Sequence, residues 1–246
     1  MKARLLILAL LSIILVSMSP KDFIATQMSF ERVKVAQKHK NTIVNDLLKS
    51  KGINSNSFDL FLRAFKTEKT LEVWAKNKTD KTYQLITTYE HCASSGVLGP
   101  KRRSGDRQTP EGFYTVDFFN PTSQYFLSFR INYPNASDKV FADPINPGDN
   151  VFIHGSCITI GCIPIGDDKM EELYLLAIRA RNYGEINVHV FPNKMDDAGM
   201  AALKAIDADA NTQAFWSNIK TGYDAFETTK SLPKITVGSD GFYVVK

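Results

Sequence analysis

VFIHGSCITIGCIPIGDD, residues 151–168, gathers one of the chain's four histidines and two of its three cysteines into one short run. VFIHG (151–155) reads as a short buried strand running into a turn. His154 stands at the strand's end, so its side chain has a defined direction. Seven residues separate it from Cys162, enough for the chain to double back and bring thiol and imidazole together. Gly155 and Gly161 flank that turn, where glycine permits positive φ and close backbone approach. Four chemistries fit these residues. An imidazole can take the proton of Cys162 and make it a nucleophile, with the Gly161 and Cys162 amides as an oxyanion hole. A Cys157–Cys162 disulfide would close a small loop and mask that thiol. His154, Cys157 and Cys162 could ligate zinc with His91 or His189 as fourth ligand, although the spacing is not C-x2-C. Cys162 could also be an inert buried thiol.

Outward from this run, FDLFLRAF (58–65), TLEVWAK (70–76), TYQLITTYE (82–90), FYTVDFF (113–119), QYFLSFRI (124–131) and INVHVF (186–191) are rich in β-branched and aromatic residues and read as strands. Two long polar segments, 94–112 and 132–150, interrupt them as loops; loops of that length in a compact domain are commonly functional. Residues 28–50 read as a helix with an apolar stripe of Val33, Ala36, Ile43, Leu47 and Leu48, stopped by Gly52, with His39 solvated among lysines. NSNS (54–57) reads as a hinge after it. Asp168 and Glu171 read as a capping box opening a second helix whose apolar face is Met170, Leu173, Tyr174 and Ala177. Residues 196–229 read as helical with a break near DADANT, and PKITVGSDGFYVV as a closing hairpin. His189 alternates with Ile186, Val188 and Val190 and reads as structural, and Cys92 reads as buried. The fold class is mostly β, a mixed sheet or sandwich with flanking helices, α+β overall. The divisions are 1–25, 26–53 (N-terminal helix), 54–193 (main domain) and 194–246 (helical extension with the hairpin).

The chain has 246 residues, 43% of them apolar, and a formal charge of +4. That supports a full core and argues against global disorder. No basic run interleaved with aromatics marks a nucleic-acid partner. Lys2 and Arg4 precede an apolar run from Leu5 to Val16, which fits a secretory segment and is shorter than the ~20 residues of a membrane span. Ser17 and Ser19 give a small-x-small site, with Pro20 directly after it. The expectation is export to the periplasm or cell envelope, with residues 1–25 a signal peptide or an uncleaved anchor that is the protein's sole membrane contact. Outside the cytoplasm cysteines tend to pair, and three cannot all pair within one chain.

HG at 154–155 followed by TIGC at 159–162 resembles the active-site signature of the L,D-transpeptidase catalytic domain family, the YkuD-type fold. GPKRR-GD-QTPEG-Y ahead of it, the cysteine in HGSC, INYPN-SDK (131–139), FW-N (215–218), GYDAFE (222–227) and LPKITV are similar to its YafK-like branch. The likeness runs from about Phe58 to Pro192 and makes 54–193 the catalytic domain. It implies Cys162 as nucleophile, His154 as base, the Gly155 carbonyl holding the other imidazole nitrogen, and the Gly161 and Cys162 amides on the oxyanion. Thr159 takes the Ser/Thr position and supports the loop. Ile160 stands where the commoner branch has histidine. Pro164 stands where that branch has an arginine contacting a substrate carboxylate, so Lys101, Arg102 or Arg103 are candidates to replace it. The implied activity is a peptidoglycan L,D-transpeptidase or L,D-acyl hydrolase working on stem peptides through a thioester, without metal or organic cofactor. Release of a wall-linked protein from peptidoglycan is one alternative, and a zinc-stabilised or non-catalytic wall-binding module is another.

Overall fold

The computed structural model describes residues 20–206 and 209–246, with side-chain environments from residue 23 onward. The secretory segment therefore lies, up to residue 19, outside the described residues. Among the described residues no helix is long and apolar enough to cross a membrane.

Two N-terminal helices come first, α1 (Pro20–Ser29) and α2 (Glu31–Ser50), followed by β1 (Phe58–Phe65), β2 (Thr70–Asn77) and β3 (Gln84–Glu90). After the first long loop come β4 (Gly112–Asn120), β5 (Ser128–Ile131), the short α3 (Ala136–Phe141), β6 (Val151–His154) and β7 (Ile163–Pro164). Next are α4 (Asp167–Arg181), β8 (Asn187–Phe191), α5 (Asp197–Ile206), α6 (Ala210–Thr229), and a hairpin of β9 (Ile235–Val237) and β10 (Tyr243–Val245). Eight strands make one mixed sheet in the order β3-β2-β1-β8-β4-β5-β6-β7. β1 with β8 and β6 with β7 are parallel; the other neighbours are antiparallel. The sheet curls: beyond β3, His91 N–H bonds Lys69 O at 2.7 Å and Cys92 N–H bonds Pro164 O on β7 at 3.0 Å.

Helices cover both faces, which is why β1 is buried along most of its length instead of alternating. Leu60, Leu62 and Ala64 share a cluster with Val33, Leu48, Leu173 and Leu176 from α2 and α4. On the other face Phe65 and Phe191 pack with Trp216, Ile219 and Tyr223 of α6. Arg63 ties α6 to that face. Its guanidinium bonds Glu72 and Glu227 and lies over the rings of Trp74, Tyr223 and Phe226, so a buried charge is matched by carboxylates and aromatic faces.

Several expectations are corrected. Residues 28–50 are not one helix: Phe30 leaves helical geometry (φ −80°, ψ 136°) between α1 and α2. The buried stripe is Val33, Ala36, Lys40, Val44 and Leu48, while Ile43 is exposed. Lys40 occupies a buried position because its amine reaches Asp168 at 2.5 Å, the stem packing apolar surface while the head is paired. Asp168 is thus engaged by Lys40, and Glu171 by His39 (3.0 Å), so they form no capping box; α4 begins from Gly166 without a side-chain cap. His39 is accordingly paired, not merely solvated. The NSNS segment is fastened to β2, Asn54 N–H donating to Asn77 Oδ1 at 2.8 Å. The 132–150 loop contains α3, opened by a reciprocal Asn135–Asp138 capping box.

His189 is buried between the Phe61 and Phe113 rings, with centroids 4.6 and 4.7 Å away. Burial, helped by the Arg63 charge, holds its pKa down at about 3. A folded value below the unfolded one near 6.5 means stability that is full above pH 6.5 and is lost as pH falls toward 3. His189→Gln should therefore flatten the fall in unfolding free energy between about pH 6 and pH 4, by up to about 1.4 kcal/mol per pH unit. Urea titrations across that range check it, and an unchanged slope contradicts it.

Candidate active site

His154 ends β6 and Cys162 immediately precedes β7. The parallel register pairs Ile153 with Ile163 and His154 with Pro164. Continued one residue back, it sets Cys162 opposite Phe152, whose N–H points at Cys162 Sγ, 3.4 Å away. Phe152 and His154 share a face of β6, so His154 and Cys162 are diagonal neighbours on one face of the sheet.

The imidazole is buried and lies against the Tyr125 ring, centroids 4.8 Å apart. Its Nδ1 bonds the Gly155 carbonyl. A carbonyl only accepts, so Nδ1 carries the hydrogen and Nε2 is the basic nitrogen. Burial lowers the His154 pKa below its ordinary value, partly offset by that carbonyl. Burial raises the Cys162 thiol, partly offset by the Phe152 amide and the Lys101 charge. The resting pair is thus a neutral thiol and a neutral imidazole.

The loop between them is clamped at several points. Asp167, first residue of α4, accepts from Ser156 N–H at 2.6 Å and fills the space a side chain at Gly155 would need. Thr159 Oγ1 donates to Cys162 O (2.8 Å) and accepts from Gly161 N–H (3.1 Å). Of the two amides expected at the oxyanion, that of Gly161 is therefore already engaged by Thr159. Gly161 sits at φ +138°, and a Cβ there would lie 2.8 Å from the Gln108 carbonyl, so the 94–112 loop packs on bare backbone. α2 also contributes: Arg32 donates to the carbonyls of Ser123 (2.6 Å) and Phe126 (2.5 Å), fixing the segment that carries Tyr125.

The cysteines divide differently from expectation. Cys92 and Cys157 form a disulfide, Cα atoms 5.4 Å apart, and Cys162 is the free thiol. The Cys157–Cys162 pairing is thereby overturned. Cys92 is exposed, not buried. The bond joins the chain after β3 to the loop after β6, two places brought together by the curl of the sheet. It also removes Cys157 from the zinc set, and His189 faces the opposite cluster.

Two clefts meet at Cys162. One of about 270 Å³ is lined by Lys66, Lys69, His91, Ser94 and Thr109 among others. The second, about 340 Å³, is lined by Lys101, Arg107, Asp149, Ile160 and Gly161 among others. Cys162 lines both, and the 94–112 loop supplies walls to each. That loop is anchored by the fully buried Glu111, whose carboxylate accepts from Lys66 (2.8 Å), Gly99 N–H (3.0 Å) and the Trp216 indole (2.7 Å). Of the basic candidates, Lys101 borders the second cleft but is bound to Asp106 at 2.7 Å. Arg102 packs on Phe141 and Phe215, and Arg103 is exposed. Arg107, not singled out in the sequence, faces the second cleft.

The chain is similar to several known proteins. The family profile "YkuD: L,D-transpeptidase catalytic domain" matches residues 60–180. The chain is 36% identical over 190 residues to a protein of Escherichia coli (strain K12) named "Putative L,D-transpeptidase YafK", covering 76% of this chain and 73% of that one. Its counterpart in Escherichia coli O157:H7 matches equally. Among solved structures, the helical cell shape determining protein Pgp2 of Campylobacter jejuni aligns with a TM-score of 0.46 at 19% identity, over 79% of this chain and 80% of that one.

In the native, unreduced protein iodoacetamide should label Cys162 alone, with the rate climbing through a midpoint above pH 9 because the folded thiol's pKa is raised. Peptide mapping by mass spectrometry should find Cys92 linked to Cys157. Fast labelling with a plateau at neutral pH would contradict the neutral resting pair.

Proposed function

Because the chain belongs to the L,D-transpeptidase catalytic-domain family, we propose that it is an exported, cysteine-dependent acyl-transfer enzyme acting on peptidoglycan stem peptides. The observation that carries this is the free thiol of Cys162. It stands at the junction of two clefts, on the same sheet face as a buried imidazole whose Nδ1 is already committed to a carbonyl.

The family implies a substrate amide between the carbonyl of an L-configured centre and a D-amino acid. His154 Nε2 takes the proton of Cys162, and the sulfur attacks the carbonyl carbon. The Cys162 N–H is the candidate donor to the oxyanion, joined by Gly161 N–H if Thr159 releases it. As the tetrahedral centre collapses the C–N bond breaks, and the leaving nitrogen takes the proton back from His154. A thioester remains. An entering amine then attacks that carbonyl, its proton passes to His154, the C–S bond breaks, and the thiolate recovers the proton. Water in place of the amine gives hydrolysis, the route by which a wall-linked protein would be released. Having separate clefts on two sides of one sulfur suits a reaction in which one partner is held while another enters or leaves.

Proton transfer to a neutral base sets the pH dependence. Below its pKa His154 is an imidazolium and cannot accept a proton, so the rate falls on the acid side, with a midpoint below the ordinary 6.5 of histidine. The disulfide supports export, since such bonds persist in oxidising compartments; the charged and apolar residues at 2–16 point the same way.

The test is digestion of purified muropeptides, with and without an added amine, read by mass. His154→Ala should lower kcat by about 10²–10⁴-fold. Cys162→Ala should abolish turnover and the covalent thioester adduct seen on quenching the wild type, with the far-UV spectrum unchanged. Full activity in either variant overturns the assignment. Cys157→Ala should retain turnover, at a reduced level, because its sulfur takes no part in the chemistry and its bond to Cys92 only fastens the loop.

A further inference from the structure

The charges of the two clefts differ. In the smaller cleft Lys66 is neutralised by Glu111, Lys69 is exposed and unpaired among the described residues, and no carboxylate lines the wall. In the larger one Lys101 is neutralised by Asp106. Arg107 and Asp149 both line it, both are exposed, and neither side chain has a partner among the described residues. One cleft thus offers a free cation, the other a free cation together with a free anion, beside the same sulfur.

Arg107 is presented from a fixed turn. The Asp106 carboxylate collects Lys101 and the N–H groups of Arg102, Arg103 and Gln108. The Arg107 carbonyl accepts from Ser95 Oγ at 2.9 Å, and its backbone is left-handed, φ +58°. A non-glycine residue in that region is uncommon and needs surroundings that hold it there. Asn150, which follows Asp149 and also lines the cleft, is tied to Arg130 at 3.1 Å.

We propose that the Arg107–Asp149 cleft binds the zwitterionic end of an amino acid, with Arg107 on its α-carboxylate and Asp149 on its α-ammonium. A guanidinium matches a carboxylate through two parallel hydrogen bonds, and an exposed carboxylate is the complement of an ammonium. A volume of about 340 Å³ suits one such end. The assignment rests on the acyl-transfer reading and deepens it. The departing D-amino acid, once its nitrogen has taken the proton from His154 and a further one from solvent, carries both charges. An entering amino acid carries the same pair until its ammonium loses a proton to solvent and attacks. Both fit this cleft.

The full chain bearing Cys162→Ala separates binding from turnover. It is titrated by NMR with free D-alanine, D-alaninamide, which lacks the carboxylate, and N-acetyl-D-alanine, which lacks the ammonium. D-alanine should bind best, by about tenfold over each analogue, as expected for the loss of one charged hydrogen-bonding partner. Adding Arg107→Gln should lower D-alanine affinity to that of the amide, and adding Asp149→Asn should lower it to that of the acetylated analogue. No detectable D-alanine binding, equal binding of all three probes, or unchanged affinity in both variants would overturn the proposal. If the binding pattern holds while the wild type never turns over muropeptides, the acyl-transfer reading fails and the amino-acid site stands. If turnover occurs but the variants bind D-alanine like the parent, the reverse follows.

Discussion

The candidate site depends on the parallel pairing of two very short strands, β6 and β7. Parallel neighbours must be joined by a crossover, usually of about a dozen residues or more and commonly helical. Here residues 155–162 alone make the return, without a helix. Four residues of β6 and two of β7 contribute little ladder energy, so the loop's own clamps set the position of the sulfur. Asp167 holds its start, Thr159 its end, Gln108 packs on Gly161, and the Cys92–Cys157 bond fastens its middle to the far side of the curled sheet.

Those clamps in turn need a rigid frame. The sheet is covered on both faces, and the cover is fixed by buried charges that are all matched. Arg63 joins α6 to β1 and β2, Glu111 joins α6 to the 94–112 loop through Trp216 and Lys66, and Lys40 joins α2 to α4. Of these, Lys66–Glu111 is buried on both sides, so removing Lys66 would leave Glu111 an uncompensated buried charge, a strongly destabilising change. The N-terminal helices accordingly belong to the site's support: Arg32 holds the segment carrying Tyr125, and Tyr125 lies on His154.

Burial of the pair has a chemical consequence. Low polarity around Cys162 and His154 disfavours both charged forms, so the resting thiol is poorly nucleophilic toward stray electrophiles. On the acyl-transfer reading proposed above, the charge separates only when a carbonyl is at hand to be attacked. Beyond the sulfur, Lys101, Arg107 and Asp149 set charged groups into the lining of one cleft beside the buried pair.

Strand positions were legible in the sequence because β-branched and aromatic runs carry their own local signal; β1 falls on 58–65 as read, and β2 and β8 lie within a residue. The spacing of His154, Gly155, Gly161 and Cys162 was legible for the same reason, since it lies in one continuous run. What could not be read is long-range. Cys92 and Cys157 are 65 residues apart, and only the curl of the sheet makes them neighbours. Nothing local marks Lys40 as buried, since its partner Asp168 comes from α4, and nothing local marks Arg107 as unpaired, since that depends on Asp106 taking Lys101. The sequence by itself determined which groups could react and which segments form strands, because those properties are local. The tertiary structure decided which thiol is free, which charges are already paired and which face a cleft, because pairing is set by distances that only the folded chain defines.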